Sequence, residues 1–152
     1  MSDRLIILIA EDDPNDILLT KRAIAKSSIT ATVQHVRDGL EAINYLAGNG
    51  IYADRMAFPF PSCLMVDLKM PRKNGFDVLK WLRDHPKCCV IPTIVLSSSK
   101  QESDVKLAYQ MGANTYFGKP SSAEDFCELI KTIFAYWKLA EKPAVPPGGK
   151  CE

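Results

Sequence analysis

"LIILIAEDDPND" (residues 5–16) decides how the rest of the chain is read. Its first half is an uninterrupted apolar run, the pattern of a strand covered on both faces, as strands of a parallel sheet are. Its second half opens with Glu11, Asp12 and Asp13, where that buried strand must end. Like charges at this spacing repel, and a low-dielectric surrounding raises their pKa values. The stretch therefore requires a cation or an array of hydrogen-bond donors among the carboxylates. The same residues also start a helix: Asp13 can cap it, Pro14 suits the first helical position and Asp16 falls in the first turn, with Ile17, Leu18, Ala23 and Ile24 as the apolar stripe. Capping gives Asp13 a purely structural role as the alternative to any chemistry.

Working outward, the alternation repeats. "ATVQHV" (31–36) reads as a second strand and "DGLEAINYLAG" (38–48) as a helix ending at Gly48. "NGIYADRMAFPFPS" (49–62) has no clean period and reads as a structured loop, after which "CLMVD" (63–67) is another buried strand that ends on an acid. Then follow a helix over 74–86 with Phe76, Leu79 and Leu82 inward, a strand at 92–97, a helix over 102–113 closed by Gly112, and a strand at 115–119. Ser121 and Glu124 form a capping box before a last helix ending near Leu139. Strands alternating with helices predict right-handed crossovers and an α/β fold: a flavodoxin-like, doubly wound (βα)5 three-layer sandwich with a parallel sheet in the order 2-1-3-4-5. Residues 1–140 form this domain, and 141–152, rich in proline and glycine, are expected to be a flexible tail.

Composition narrows the function. The chain has 152 residues, 47% of them apolar, enough for one core. With 19 basic against 18 acidic residues, no bulk field recruits nucleic acid or an anionic membrane. No apolar run approaches the roughly 20 residues of a membrane span, and residues 1–10 do not resemble a signal peptide, so a cytoplasmic protein is expected. Cys63, Cys88, Cys89, Cys127 and Cys151 are odd in number and contain no C-x-x-C, which predicts reduced thiols with Cys63 and Cys127 in the core. His35 and His85 lack a partner at ligand spacing.

In doubly wound sheets, ligands bind beyond the carboxyl ends of the strands where strand order reverses, here between strands 1 and 3. Those ends carry Glu11 and Asp12, and Asp67; strand 4 adds Ser97 and Ser98, and the turn after strand 5 adds Lys119. Carboxylate oxygens suit Mg2+ (or Mn2+), a hard cation usually completed by water and phosphate. Asp67 could then attack phosphorus, with Lys119 and the Ser97 hydroxyl binding the equatorial oxygens. No Gly-x4-Gly-Lys-Ser/Thr or Gly-x-Gly-x-x-Gly loop occurs, so a bound nucleotide is not the expected phosphoryl source. A lone strand-end Asp is more often a cap and a lone Lys-Pro a turn; it is their conjunction at four strand ends that points to chemistry.

"ILIAEDDPND", "LMVDLKMPRKNGFDVLKWLR", "PTIVLSSSK" and "GANTYFGKP" closely resemble, in order, the motifs of the receiver domain of two-component response regulators. The resemblance implies that Glu11 and Asp12 match the metal-binding acidic pair, Asp67 the phosphoacceptor, Ser97 the switch hydroxyl, Tyr116 the switch aromatic and Lys119 the family's lysine. It also implies a metal contact from the Lys69 backbone carbonyl and a cis Lys119–Pro120 bond. Ser98 is the alternative to Ser97. The 49–62 loop and the lack of an output domain are similar to stand-alone receivers that partner bacterial phytochrome-type histidine kinases. The implied function is a single-domain response regulator that signals by phosphorylation-dependent protein contact, with self-catalysed phosphotransfer and autodephosphorylation but no other enzymatic activity. The competing readings are a haloacid-dehalogenase-like phosphatase, which usually has a second Asp where this chain has Lys69, a flavin binder of the same topology, and a scaffold receiver signalling without phosphorylation.

The last helix carries Phe126, Leu129, Ile130, Ile133 and Trp137 toward the sheet, flanked by Cys127, Phe134 and Tyr136. This arc exceeds the stripe of about 100° that one sheet requires. Either the tail or helix 4 covers the excess, or it joins strand 5 and helix 4 in a homodimer or partner interface.

Overall fold

The computed structural model describes residues 5–88 and 90–151. Among them the expected elements form in strict alternation: β1 Leu5–Ala10, α1 Pro14–Lys26, β2 Ala31–Val36, α2 Gly39–Ala47, β3 Cys63–Val66, α3 Gly75–Asp84, β4 Thr93–Ser97, α4 Glu102–Gln110, β5 Thr115–Gly118 and α5 Ala123–Leu139. All pairings are parallel and the order is β2-β1-β3-β4-β5. Alternate strand residues serve opposite faces. Leu8, Leu64, Val66 and Val95 pack with the α2–α3–α4 side, while Ile7, Ile9, Met65, Ile94 and Leu96 pack with Ala23 of α1 and the α5 stripe.

Caps set the boundaries. Asp13 accepts from the Asn15 N–H at 2.8 Å, as expected. The α1 stripe keeps Ala23 and Ile24, but Leu18 is exposed and Leu19 packs on the core in its place, while the buried Thr20 donates its hydroxyl to the Asp16 carbonyl at 2.8 Å. At α5 the cap is Ser122, accepting from the Asp125 N–H at 3.0 Å, not Ser121. The sequence offers S-x-x-E and S-x-x-D in adjacent frames, and the chain takes the later one, lengthening the turn after Lys119. Asn74 and Asp77 make a reciprocal capping box at α3. Gly75 is required there, since a Cβ would stand 2.5 Å from the Asp67 carbonyl oxygen.

Three expectations need correction. Phe134 is buried in the core that α1 shares with α5, so α1 covers much of the wide apolar arc; Tyr136 and Leu139 remain exposed. The tail folds back instead of dangling. Lys142 Nζ donates to the carbonyls of Trp137 at 2.7 Å and Ala140 at 2.8 Å, capping α5. Residues 143–146 then run beside Phe60, Pro61, Ile91 and Pro92 under the amino edge of the sheet. Arg55, whose guanidinium lies over the Tyr45 and Phe60 rings, donates to the Gly149 carbonyl at 2.7 Å. Cys151 is buried and disulfide-bonded to Cys88, with Cα atoms 5.5 Å apart. That pair was expected as thiols; 63 residues separate the partners, so no sequence motif marks them. Cys63 and Cys127 are free, and burial pushes the Cys63 thiol up to about 12. Cys89 lies outside the described residues.

Candidate functional site

The register assembles the site. Ala10 pairs with both Val36 and Val66, and Ser97 pairs with Gly118. The ladder continues one residue further: the Glu11 N–H donates to Val36, the Asp67 N–H to Ala10 and the Lys119 N–H to Ser97, at 3.0, 3.0 and 2.8 Å. Glu11, Asp67 and Lys119 are thereby held by backbone at one edge.

Lys119 Nζ lies 2.7 Å from Glu11 Oε1, 2.6 Å from Asp16 Oδ2 and 2.8 Å from Asp67 Oδ2. An ammonium has three protons, and each finds a carboxylate. Burial opposes the Lys119 charge, but the hydrogen bonds with Asp16, Asp67 and Glu11 outweigh it and hold the group above the ordinary lysine range. Glu11 moves the other way: burial first, then the neighbouring Asp67 carboxylate, push it up to about 8, with Lys119 only partly offsetting them. This is the electrostatic conflict that the acidic stretch required.

Oxygens of Glu11, Asp12 and Asp67 lie within 4.8 Å of one another, with Asp12 exposed and the other two buried. All-oxygen donors at that separation fit a divalent cation. The turn after Asp67 is fixed around them. Lys69 N–H donates to Asp67 Oδ1 at 3.3 Å, and the Gly75 N–H returns to the Leu68 carbonyl at 3.0 Å. Arg72, in the left-handed region at φ 62°, reaches Asp38 at 2.8 Å and ties the turn to α2. Asp12, Lys69, Met70, Asn74 and Phe76 line an open cleft of about 620 Å³ beside the acids.

Ser97 is fully buried and its hydroxyl accepts from the Ser99 N–H at 3.2 Å, whereas Ser98 is exposed. Tyr116 donates its hydroxyl to the Ser99 carbonyl at 2.6 Å. Ser97 and Tyr116 thus meet on one residue of the β4–α4 loop, which Ser99 Oγ anchors to Asp104 at 2.6 Å. The Lys119–Pro120 bond departs from expectation: no cis peptide occurs among the described residues, and the trans chain still brings the ammonium to Asp67. Asp16 was assigned only to the helix start. Its signal was position: it lies in the first turn of a helix that begins at the strand end itself. His35 Nε2 is engaged with the Glu11 carbonyl at 2.9 Å and joins no metal-ligand cluster among the described residues.

A parallel sheet whose carboxyl edge holds an acid cluster, a lysine and a linked hydroxyl–aromatic pair is the arrangement that the resemblance to signalling receivers implies. The pattern described as the response regulator receiver domain matches residues 7–131, and the chain belongs to that family. It is 31% identical over 132 residues to the response regulator Rcp1 of a Synechocystis species, covering 87% of this chain and 88% of that protein. The crystal structure of the phosphorylated cyanobacterial phytochrome response regulator RcpA superposes with a TM-score of 0.87 at 33% identity, over 93% of this chain and 99% of the other. The Mn2+-bound form of Rcp1 superposes at 0.84 with 30% identity, over 92% and 99%. Among the described residues, no helix is long and apolar enough to cross a membrane.

Proposed function

We propose that this response regulator takes a phosphoryl group from a histidine kinase onto Asp67. The observation that supports this most is the Lys119 ammonium, held 2.8 Å from Asp67 Oδ2 and 2.7 Å from Glu11 at the reversal point of the sheet. An Asp67 oxygen attacks phosphorus, the bond to the donor imidazole breaks, and an acyl phosphate forms as the imidazole leaves. Glu11, Asp12, Asp67 and the Lys69 carbonyl would hold Mg2+ or Mn2+, whose charge neutralises the phosphoryl oxygens when it is bound. Lys119 and Ser97 bind the remaining equatorial oxygens. A shift of the Ser97 hydroxyl toward the phosphoryl group would release the Ser99 N–H. Tyr116, bonded to the same residue, would follow and carry the change to the α4–β5–α5 face.

Likeness to RcpA supports a phytochrome-type kinase as the donor, in the cytoplasm. A homodimer through α4–β5–α5 is supported by the exposed Tyr136, which with Phe117, Ile94 and Ile133 lines a cavity of about 290 Å³. Acetyl phosphate with magnesium should add one phosphoryl group to the intact protein and none to Asp67→Asn, read by mass. Equal labelling of the variant would refute the assignment. Sedimentation with and without beryllofluoride should show a dimer that Tyr136→Glu weakens; a monomer in both states would leave that face to another protein.

A further inference from the structure

Asp16 is a charged group that the scheme above does not use. It is carried on the first turn of α1, starts from the cap at Asp13 and places Oδ2 2.6 Å from Lys119 Nζ. The two other acceptors of that ammonium, Glu11 and Asp67, also belong to the oxygen cluster that fits a cation, whereas Asp16 does not. Any cation or phosphoryl group at the cluster draws on the same two carboxylates, Glu11 and Asp67, that share the ammonium. Asp16 alone keeps its lone pairs for the lysine throughout. A lysine side chain is long and rich in rotamers, so an acceptor that never changes partner fixes where its charge stands.

We infer that Asp16 is a positioning residue for phosphoryl transfer: it anchors the Lys119 ammonium beside Asp67 while the other carboxylates change ligands. The inference rests on Asp67 as the phosphoacceptor. Asp16 touches neither phosphorus nor cation and acts through Lys119. Losing one charge-assisted hydrogen bond should cost about tenfold in rate. The cation-binding oxygens stay as they were.

The test uses the full chain, acetyl phosphate and magnesium, with wild type, Asp16→Asn, Asp16→Glu and Asp67→Asn. In Asp16→Asn the phosphorylation rate constant at saturating acetyl phosphate should fall about tenfold. Half-saturating acetyl phosphate and half-saturating magnesium should both stay within about twofold. Asp16→Glu, which restores the charge, should recover part of the loss. A second readout needs no phosphoryl donor: the 15Nζ resonance of Lys119, sharp and slow to exchange its protons in wild type, should broaden and exchange faster in Asp16→Asn. An unchanged rate with an unchanged Lys119 resonance would overturn the inference, as would a shift in magnesium affinity with the rate intact. Labelling of Asp67→Asn at the wild-type rate would instead overturn the phosphoacceptor assignment, and the Lys119 resonance would still decide the role of Asp16.

Discussion

At the carboxyl edge of the sheet, one buried ammonium stands among Glu11, Asp16 and Asp67, with Asp12 alongside, so negative charge is left over. At the amino edge, the strap of residues 143–151 lies against Phe60, Pro61 and Ile91 and is fastened by Arg55 and by the Cys88–Cys151 bond. There apolar surface is covered and the strap's carbonyl at Gly149 has its donor. One edge is electrostatically incomplete and the other is closed. The difference locates chemistry at the first and stability at the second, and variants at the two edges should separate the two properties.

The largest effect is expected where site and fold cannot be separated. Gly75→Val places side-chain atoms against the Asp67 carbonyl, 2.5 Å from the first added carbon. It should cost about 3 kcal/mol or more in urea unfolding and abolish phosphorylation. Next comes the closed edge: Cys151→Ser, or reduction, should lower stability by about 2–4 kcal/mol. Phosphorylation at a temperature where the variant is folded should be unchanged; a matching loss of labelling would break the division between the edges.

The open edge should show itself in pH dependence. Glu11 is raised from its ordinary 4.5 to about 8, so the fold favours its neutral form. Stability from this source is full below 4.5 and is lost as pH rises through 8. Lys119, raised above its ordinary 10.5, contributes fully across that window and adds no slope there. The metal-free protein should therefore melt at lower temperature as pH rises from mildly acid to 8, and Glu11→Gln should flatten the trend. Magnesium requires ionised Glu11, so its stabilising effect should grow over the same interval. A rising melting temperature in metal-free wild type would contradict the assignment. The smallest effect belongs to Tyr116→Phe, which removes the bond to the Ser99 carbonyl and should cost about 1 kcal/mol while leaving the initial rate of phosphorylation intact.

The two edges were also unequally legible in the sequence. "LIILIA", "CLMVD" and "PTIVLS" announce buried strands by composition alone; the last two end on Asp67 and Ser97, and the first stops one residue before Glu11. Strand alternation with helices then implies a parallel sheet, and the order 2-1-3-4-5 that collects them is the one the resemblance to receiver domains implies. Asp16 escaped because its local role in the first turn of α1 was already sufficient to explain it. The strap escaped because "KPAVPPGGKCE" has no hydrophobic period, and what holds it is non-local: a guanidinium on Arg55 and the disulfide to Cys88. The cis Lys119–Pro120 bond was expected from the resemblance alone, and the cap at Ser122 was missed because S-x-x-E and S-x-x-D lie in adjacent frames with nothing local to choose between them.

The central claim, that the strand-end cluster directs a phosphoryl group to Asp67, is tested most directly by locating the acyl phosphate itself. After treatment with acetyl phosphate and magnesium, borohydride reduces a phosphorylated aspartate to homoserine, which peptide mass mapping places by residue. The account predicts homoserine at position 67 and at neither 12 nor 16, with Lys119→Ala sharply reducing its yield. Homoserine at another aspartate, with residue 67 intact, would contradict it.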